Sequence, residues 1–360
     1  MSGKPKVVNF KNLSYLATRL RDDLNINDLV LLFAYNGTGK TRLSMTFKDK
    51  GKKKKDSRDT LYFNAFTEDL FSWDNDLVND AERHLLINSD SLFFSGFKEL
   101  ALEEKIFAYL ERYADFDFKI DYEKWTISFV RGDEDHIKVS RGEENIFVWC
   151  IFLAICQLVI DGHEAYAWVK YIYIDDPISS LDDNNAIAVA CDLAELLKTG
   201  KGKIKAVISS HHSLFFNVMW NEFRRSKTNY KTYFYHRPLN STRYTLRTTD
   251  ETPFYHHVAT LSELQKAAET NHLYTHHFNM LRSILEKTAT FFGHKDFSYC
   301  LHGVDDEVLY TRALNLLSHG KYSIYEPREM VDDTKNLFKK ILTAFLERYQ
   351  FDLPDIVAKP

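Results

Sequence analysis

The order of apolar and polar segments divides the chain into a part where strands alternate with helices and a later part that is helical. Short apolar runs lie between polar or glycine-rich segments at residues 28–33, 60–64, 171–174 and 206–210. Runs of this length and setting are typical of strands buried in a mainly parallel sheet. The pattern therefore predicts an α/β fold for the larger part of the chain.

Two further patterns lie between the second and third of these runs. Residues from about 72 to 114 are predicted to be helical, whereas residues 118–130 alternate between apolar and polar. The alternation predicts exposed edge strands, in which one face contacts the core and the other faces solvent.

A polar segment at residues 237–253, which carries two prolines, is predicted to form a hairpin and a connection. It places a domain boundary near residue 250, with domains of 1–250 and 251–360. Apolar residues then recur at helical spacing, at Phe278, Leu281, Leu285 and Phe292 and again at Leu337, Ile341, Phe345 and Tyr349. The second domain is therefore predicted to be mainly α-helical.

Composition narrows the class of protein only modestly. The 47 Lys and Arg nearly balance the 51 Asp and Glu, so any nucleic-acid site has to be local. The four cysteines lack CxxC spacing and are interpreted as reduced core thiols. The apolar stretch at residues 148–160 is shorter than the ~18–20 residues that cross a bilayer, so we expect a cytoplasmic protein with no membrane partner.

A glycine-rich loop follows the first apolar run and precedes a helical segment. Residues 34–41 read Ala-Tyr-Asn-Gly-Thr-Gly-Lys-Thr, in the strand, loop and helix order of a Walker A motif, although Ala34 replaces the usual first glycine. In such a loop, backbone N–H groups surround the phosphates, a lysine adds a positive charge and a hydroxyl meets Mg²⁺. The predicted nucleotide-binding residues are Asn36, Gly37, Thr38, Gly39, Lys40 and Thr41, with Thr41 also a Mg²⁺ ligand.

The third apolar run ends in two carboxylates, Asp175 and Asp176, as a Walker B strand does. Asp175 is predicted to hold Mg²⁺ through its water. Asp176 is predicted to act as the general base in place of the usual glutamate, and its shorter side chain predicts slow hydrolysis. The Ser-Ser-Leu-Asp that follows, ending at Asp182, is typical of the D-loop of ABC-type NTPases, which hold nucleotide between two protomers.

Two further motifs fit the same class of protein. Residues 139–143 resemble the ABC signature with Arg141 in place of a glycine, and its predicted contacts with nucleotide on a partner protomer are Ser140, Gly142 and Glu143. His211 closes the fourth apolar run and is predicted to sense the γ-phosphate; the strand register favours it over His212.

The glutamine that ABC-type NTPases place after the second strand is missing here. No glutamine follows residues 60–64, so either Asn64 or Glu68 fills that position.

The helical part of the chain carries a separate candidate site. Arg282 and Glu286 are four residues apart and therefore lie on one helix face, where an ordinary ion pair is the simplest interpretation. Asn315 and His319 share a face of a second predicted helix end that could bring an imidazole towards this pair.

An arginine, a glutamate and a histidine are sufficient to cut RNA without a metal. A carboxylate or an imidazole removes the 2′-OH proton, the other group protonates the leaving 5′-oxygen, and the guanidinium stabilises the charged phosphate. Such a site leaves 2′,3′-cyclic phosphate and 5′-hydroxyl ends and does not cut DNA.

The chain resembles a known family, the PrrC-type anticodon nucleases of bacterial anti-phage systems. The resemblance rests on residues 35–44, 64–71, 73–77, 140–144, 174–184 and 281–289. The Phe-Thr-Glu-Asp-Leu-Phe and Trp-Asp-Asn-Asp-Leu strings are not general features of ABC-type NTPases, so the match is specific.

The resemblance implies an ABC-like domain that uses ATP or GTP with Mg²⁺ and controls a C-terminal ribonuclease. It implies cleavage of a tRNA, typically tRNA-Lys, at the anticodon by Arg282, Glu286 and His319. It also implies silencing by a type I restriction-modification complex. The signature and the D-loop predict at least a head-to-tail dimer.

The alternative hypothesis is an ABC-type ATPase of the DNA-sensing or scaffold class, comparable with RecF-like or OLD-like heads. Its C-terminal helices would bind a partner nuclease, and the chain alone would not cut RNA.

Overall fold

The computed structural model describes residues 7–52, 58–64, 70–74, 82–94, 97, 102–177, 183–226, 228–237, 243–249, 255–318, 328–349 and 351. The chain folds as two compact units, residues 1–253 and 254–360.

The first unit contains every described strand and six of the described α-helices. The strands are β1 (Val7–Phe10), β2 (Leu29–Phe33), β3 (Thr60–Asn64), β4 (Phe71–Asp74), β5 (His84–Ile87), β6 (Asp117–Asp121), β7 (Thr126–Arg131), β8 (Glu134–Asp135), β9 (Tyr171–Asp175), β10 (Lys205–Ser210), β11 (Tyr230–His236) and β12 (Tyr244–Thr248). The helices are α1 (Leu13–Ile26), α2 (Lys40–Asp49), α3 (Glu103–Leu110), α4 (Arg141–Asp161), α5 (Asp183–Thr199) and α6 (Ser213–Arg225).

Seven of the described strands form one sheet in the order β1-β12-β11-β2-β10-β9-β3. The five strands from β11 to β3 are parallel, while β12 and β1 add antiparallel pairs at one edge. All five residues of β2 are buried, as the continuous apolar run predicts for an interior parallel strand. The four predicted strands are confirmed, and with them an α/β fold like that of P-loop NTPases.

The register of this sheet brings three polar residues to one edge. Asn64 on β3 pairs with Asp175 on β9, and Asp175 pairs with Ser209 on β10. Parallel strands end on the same side, so the carboxyl ends of β3, β9 and β10 form one polar edge. The glycine-rich loop at residues 34–41, called the phosphate loop from here on, follows β2. It lies at that edge because β2 pairs with β10.

The second sheet corrects part of the sequence prediction. Residues 72–74 and 84–87, predicted to be helical, lie in the antiparallel pair β4 and β5, and β5 pairs with β7. Four-residue strands are too short to show a period, so cross-strand pairing decides their conformation. β7 is also not an edge strand, because it pairs with β5, β6 and β8 and buries Ile127 and Phe129.

α4 is the central helix of the first unit. It is buried on all sides from Ile146 to Cys156, and Trp149 and Phe152 pack against Phe63 of β3 with ring centroids 5.2 and 4.4 Å away. α4 has 21 residues and is longer than the apolar stretch at 148–160, because the helix begins with a polar turn that is capped by Ser140. Among the described residues it is the one helix long and apolar enough to cross a membrane, but 78% of its apolar window is buried inside the structure, as in a core helix.

The second unit is helical in its described residues, as predicted. Its α-helices are α7 (Tyr255–Glu269), α8 (His276–Phe291), α9 (Glu307–Ser318) and α10 (Asp332–Arg348), with a short 3₁₀ helix at Phe297–Leu301. Phe278, Leu281 and Leu285 of α8 pack with Ile341 and Phe345 of α10 in one apolar core. Phe292 is different, because it caps the end of α8 and is 53% exposed.

Replacing Phe152 by Ala should destabilise the first unit by about 3–5 kcal/mol, since it removes a fully buried ring between Phe63 and Trp149. All five tryptophans precede residue 253, so tryptophan fluorescence during urea unfolding reports on this unit. Phe107→Ala, at a 44% exposed position on α3, is the matched control and should cost less than about 1 kcal/mol. Equal losses for the two variants would contradict the packing described for α4.

Candidate functional site

The phosphate loop has the backbone geometry that binds phosphate. Gly37 and Gly39 have φ of 81° and 97°, in the left-handed region that residues with a Cβ rarely adopt. Gly39 is also the N-cap of α2, and no side chain caps that helix end. The first N–H groups of α2 are therefore left for an anion. Tyr235 of β11 also holds the loop, because its hydroxyl donates a hydrogen bond to the carbonyl oxygen of Thr38 at 3.1 Å.

Lys40 is the central cation of this site and is only 6% exposed. Its Nζ donates to the carbonyls of Ala34 and Tyr35 at 3.2 and 3.3 Å and to Asn36 Oδ1 at 3.2 Å. It also forms an ion pair with Asp176 Oδ2 at 3.1 Å. The loop thus folds around the ammonium group, and Asp176 supplies its countercharge.

Asp175 lies at the polar edge of the sheet and is fully buried. Its Oδ1 accepts from Ser209 Oγ at 2.7 Å, and its Oδ2 lies 3.4 Å from Ser44 Oγ and from Asn64 Nδ2. Burial raises the pKa of Asp175, and hydrogen bonds from Ser209 and Thr41 offset only part of that effect.

These groups fit Mg²⁺. The ion prefers carboxylate, hydroxyl and water oxygens, and here the Thr41 hydroxyl is near enough to the buried Asp175 carboxylate to lower its pKa. The raised pKa of Asp175 means that its negative charge is not fully compensated by its neighbours. Asp175 and Thr41, the predicted pair of ligands, are thus brought together, and a bound Mg²⁺ would supply positive charge next to both.

Asp176 has different surroundings from Asp175. Its Oδ1 lies 2.7 Å from His211 Nδ1 and accepts from the His211 backbone N–H at 2.9 Å, while Lys40 contacts its other oxygen. Burial by itself raises the pKa of Asp176, but the His211 hydrogen bonds and the Lys40 charge outweigh burial, and the pKa is lowered. Asp176 also has φ of 52°, a left-handed conformation that costs a non-glycine residue about 1 kcal/mol or more.

The structure separates the two adjacent histidines. His211 faces Asp176, whereas His212 caps α6 by accepting from the backbone N–H of Phe215 at 3.4 Å. His211 is therefore in contact with the predicted general base.

The signature segment forms the N-terminus of α4. Ser140 is the N-cap, and it forms a capping box with Glu143, whose carboxylate accepts from the Ser140 backbone N–H at 2.7 Å. Arg131 of β7 forms an ion pair with the same carboxylate. Glu143 thus acts within its own protomer, as part of the cap. Ser140 is exposed, and a Cβ added at Gly142 would have only Ser140 Oγ near it, at 4.0 Å, so this helix end is open to a ligand.

Three sequence predictions fall on residues outside the described ranges: Asp182 in the D-loop, Glu68 in the glutamine-loop position and His319. The other glutamine-loop candidate, Asn64, contacts the Asp175 carboxylate through its amide.

In the second unit, Arg282 and Glu286 are in contact. Arg282 Nε donates to Glu286 Oε1 at 2.7 Å, and Arg282 NH1 donates to Asn315 Oδ1 of α9 at 2.9 Å. The guanidinium also lies 5.0 Å from the centroid of the Phe297 ring. Arg282 is thus held by three neighbours, while the Glu286 side chain is 47% exposed. Asn315 was predicted to share a helix face with His319, which follows the last residue of α9 directly.

Two other histidines of the second unit are shielded from water, His277 fully and His257 in part. Burial lowers the pKa of His257 to about 4 and that of His277 to about 3, with smaller contributions from Lys287 and His276 respectively. Both imidazoles are therefore neutral at physiological pH and unsuited to donating a proton there.

Comparison with known proteins identifies the family. Residues 98–347, more than half of the chain, match the family described as an AAA domain. The chain is also 35% identical over 331 residues to the anticodon nuclease of Escherichia coli, an alignment that covers 81% of this chain and 82% of that protein. The chain belongs to the anticodon nuclease family.

An AAA domain is a nucleotide-binding domain, which agrees with the loop geometry, and the matched residues 98–347 begin after that loop and extend into the second unit. In this member of the anticodon nuclease family, Lys40, Thr41, Asp175, Asp176 and His211 lie together at one sheet edge.

Sequence reasoning missed some members of this site, which are Ser44, Tyr62 and Ser209. Tyr62 OH lies 3.5 Å from Asp175 Oδ2, and burial next to that carboxylate raises its pKa to about 12. Ser209 is the last but one residue of its strand, so a search for polar residues at the ends of apolar runs would have found it.

Replacing Asp175 by Asn should raise the thermal stability of the chain at pH 7 without nucleotide. A carboxyl whose folded pKa is raised stabilises the fold below its unfolded pKa and loses that contribution as pH rises through the folded pKa. Removing the charge should therefore stabilise the fold at pH 7. Differential scanning calorimetry at pH 7 tests this; a lower melting temperature than wild type would contradict it. The same variant should lose Mg²⁺-dependent nucleotide hydrolysis.

Proposed function

We propose that this protein is a nucleotide-controlled endoribonuclease that cuts a tRNA at its anticodon, with tRNA-Lys as the expected substrate. The first unit binds ATP or GTP with Mg²⁺ as an ABC-type domain, and the second unit carries the nuclease centre. Membership of the anticodon nuclease family supports the substrate class. The protein acts in the cytoplasm as an anti-phage toxin.

The observation that carries this proposal is the contact of Arg282 with both Glu286 and Asn315. An isolated ion pair between residues four apart on a helix contributes only ~0.3–0.5 kcal/mol. Such a pair alone does not hold an arginine side chain in one position. Here a second helix and the Phe297 ring also hold the guanidinium, while Glu286 remains accessible. A fixed cation beside an accessible carboxylate suits chemistry at a phosphodiester.

The proposed reaction uses the RNA's own hydroxyl as nucleophile. Glu286 or His319 removes the 2′-OH proton, the 2′-oxygen bonds to the adjacent phosphorus, and the bond from phosphorus to the 5′-oxygen breaks. The other group protonates the leaving 5′-oxygen, so the products carry a 2′,3′-cyclic phosphate and a 5′-hydroxyl. Arg282 stabilises the charge that develops on the phosphate oxygens. These three side chains supply the acid, the base and the cation, so the step needs no metal.

The first unit controls this centre through pairing of two chains. In the proposed head-to-tail dimer, nucleotide on Lys40 of one protomer contacts Ser140 and Gly142 of its partner, with Asp182 at the same interface. The exposed Ser140 and the space above Gly142 support this arrangement, because a phosphate could approach this helix end. A type I restriction-modification complex is the proposed silencing partner.

Glu286→Gln and His319→Ala should each reduce tRNA cleavage by at least about 100-fold, because each removes a group that transfers a proton. Arg282→Lys should also reduce cleavage, since an ammonium group cannot make both bonds to Glu286 and Asn315. The assay is the full-length protein with total tRNA and Mg²⁺-nucleotide, followed by sequencing of the fragment ends.

Glu269→Gln is the matched control, because Glu269 pairs with Gln265 four residues away on the exposed face of α7. It should cut at the wild-type rate, and all four variants should bind nucleotide normally. Intact tRNA with the wild-type protein under every nucleotide condition would reject the proposal in favour of a sensor or scaffold ATPase. Wild-type cleavage by His319→Ala would remove His319 alone from the centre.

Lys40→Ala should abolish nucleotide binding and the control of cleavage. Asp176→Asn should retain nucleotide but hydrolyse it at least about tenfold more slowly, because an amide cannot accept the proton of water. Filter binding with labelled nucleotide and a phosphate-release assay separate the two effects. Unchanged hydrolysis in Asp176→Asn would show that another group is the base.

A further inference from the structure

The second sheet holds the N-terminus of α4 through a hydrogen bond that the nucleotide motifs do not explain. Trp73 of β4 donates its indole N–H to Glu144 Oε2 at 2.9 Å. The ammonium of Lys138, just before the signature, lies 5.6 Å from the centroid of the same indole. Trp73 thus contacts both sides of the segment that contains Ser140.

Apolar contacts bring the same sheet against the second turn of α4. The Phe147 ring lies 4.9 Å, centroid to centroid, from both Phe118 of β6 and Phe129 of β7. The Trp73 ring lies 5.8 Å from Phe129. Apolar contacts resist separation of the helix from the sheet but permit small rotations about the helix axis, since they are not directional.

Two polar bonds remove that rotational freedom. Trp73 binds Glu144 from β4, and Arg131 binds Glu143 from β7. Consecutive residues of an α-helix point about 100° apart, so two bonds to adjacent residues fix the helix about its axis. Bonds to carboxylates are also the stronger class of hydrogen bond.

The same helix also packs against the main sheet close to Asp175. Further along α4, Trp149 and Phe152 pack on Phe63, and the next residue of β3 is Asn64, whose amide lies 3.4 Å from Asp175 Oδ2. The second sheet therefore holds α4 at its first turn. Further along, α4 packs against β3 next to the polar edge of the main sheet.

We propose that Trp73 is a positioning residue for nucleotide hydrolysis. Its indole N–H, acting through Glu144, aims the N-terminus of α4 and Ser140 at the phosphates of a nucleotide bound to a second copy of the chain. This inference rests on the proposed head-to-tail pairing. Trp73 itself touches no nucleotide; its loss misaligns the signature and leaves the Lys40 site of its own protomer intact.

The test compares Trp73→Phe with Trp168→Phe in the full-length protein. Phe at 73 keeps an aromatic ring against Phe129 and loses the N–H donor. Trp168 is the matched control, because its buried indole N–H has no hydrogen-bond partner among the described residues. Hydrolysis of Mg²⁺-ATP and Mg²⁺-GTP gives kcat and KM, and labelled nucleotide gives the affinity of the Lys40 site.

Trp73→Phe should lower kcat about tenfold, the effect of one hydrogen bond to a charged group, with nucleotide affinity within about twofold of wild type. Glu144→Leu should lower kcat to the same extent, and the double variant should show no further loss, because both changes remove one interaction. Glu144→Gln keeps an oxygen acceptor and should retain most of the activity.

Equal kcat in Trp73→Phe and Trp168→Phe would overturn the inference, as would independent, multiplying losses in the double variant. A parallel loss of nucleotide affinity and kcat would also overturn it, because Trp73 would then support the phosphate loop itself. Absence of hydrolysis by the wild type would overturn the proposed nucleotide control and the inference together, whereas the first three outcomes overturn the inference alone.

Discussion

The burial of two adjacent carboxylates at the end of β9 is the constraint on which the first unit depends. Removing such charges from water is costly unless each is paired or hydrogen-bonded. Asp176 is paired with Lys40 and His211, while Asp175 has hydroxyl and amide donors around it. The phosphate loop, the strand register and the left-handed backbone at Asp176 are all needed to place those partners.

The two carboxylates are consequently given different properties. The pKa of Asp175 is raised and that of Asp176 is lowered, and a pair of titratable groups pushed apart in this way marks a division of chemical roles. A carboxylate held by a lysine and a histidine is a weak proton acceptor. In the proposed function, a phosphate that attracts Lys40 would weaken its contact with Asp176, so nucleotide binding and the proton affinity of Asp176 would be linked through one ammonium group.

The second unit also holds a charged side chain in place with polar partners, in this case at its surface. Arg282 is fixed by Glu286 on its own helix and by Asn315 on the next, and an exposed pair of this kind adds little to stability. Its arrangement suits the proposed cleavage, in which Arg282 would face a phosphate. The half-buried His257 and the buried His277 show the contrast, because loss of contact with water lowers their pKa and keeps both neutral near neutral pH.

The sequence by itself determined the elements whose evidence is local. The buried strands, the glycine loop before α2, the acidic end of β9 and the four-residue spacing of Arg282 and Glu286 each depend on residues close together in the chain. It did not identify β4 and β5, because four-residue strands are stabilised by partners far away in sequence. Only the tertiary structure decided that Asn64, Asp175 and Ser209 pair across three strands, that His211 contacts Asp176, and that Trp73 holds the first turn of α4. The reason is physical: periodicity is set by the dihedral angles of neighbouring residues, whereas register and helix orientation are set by which distant segments share a buried surface.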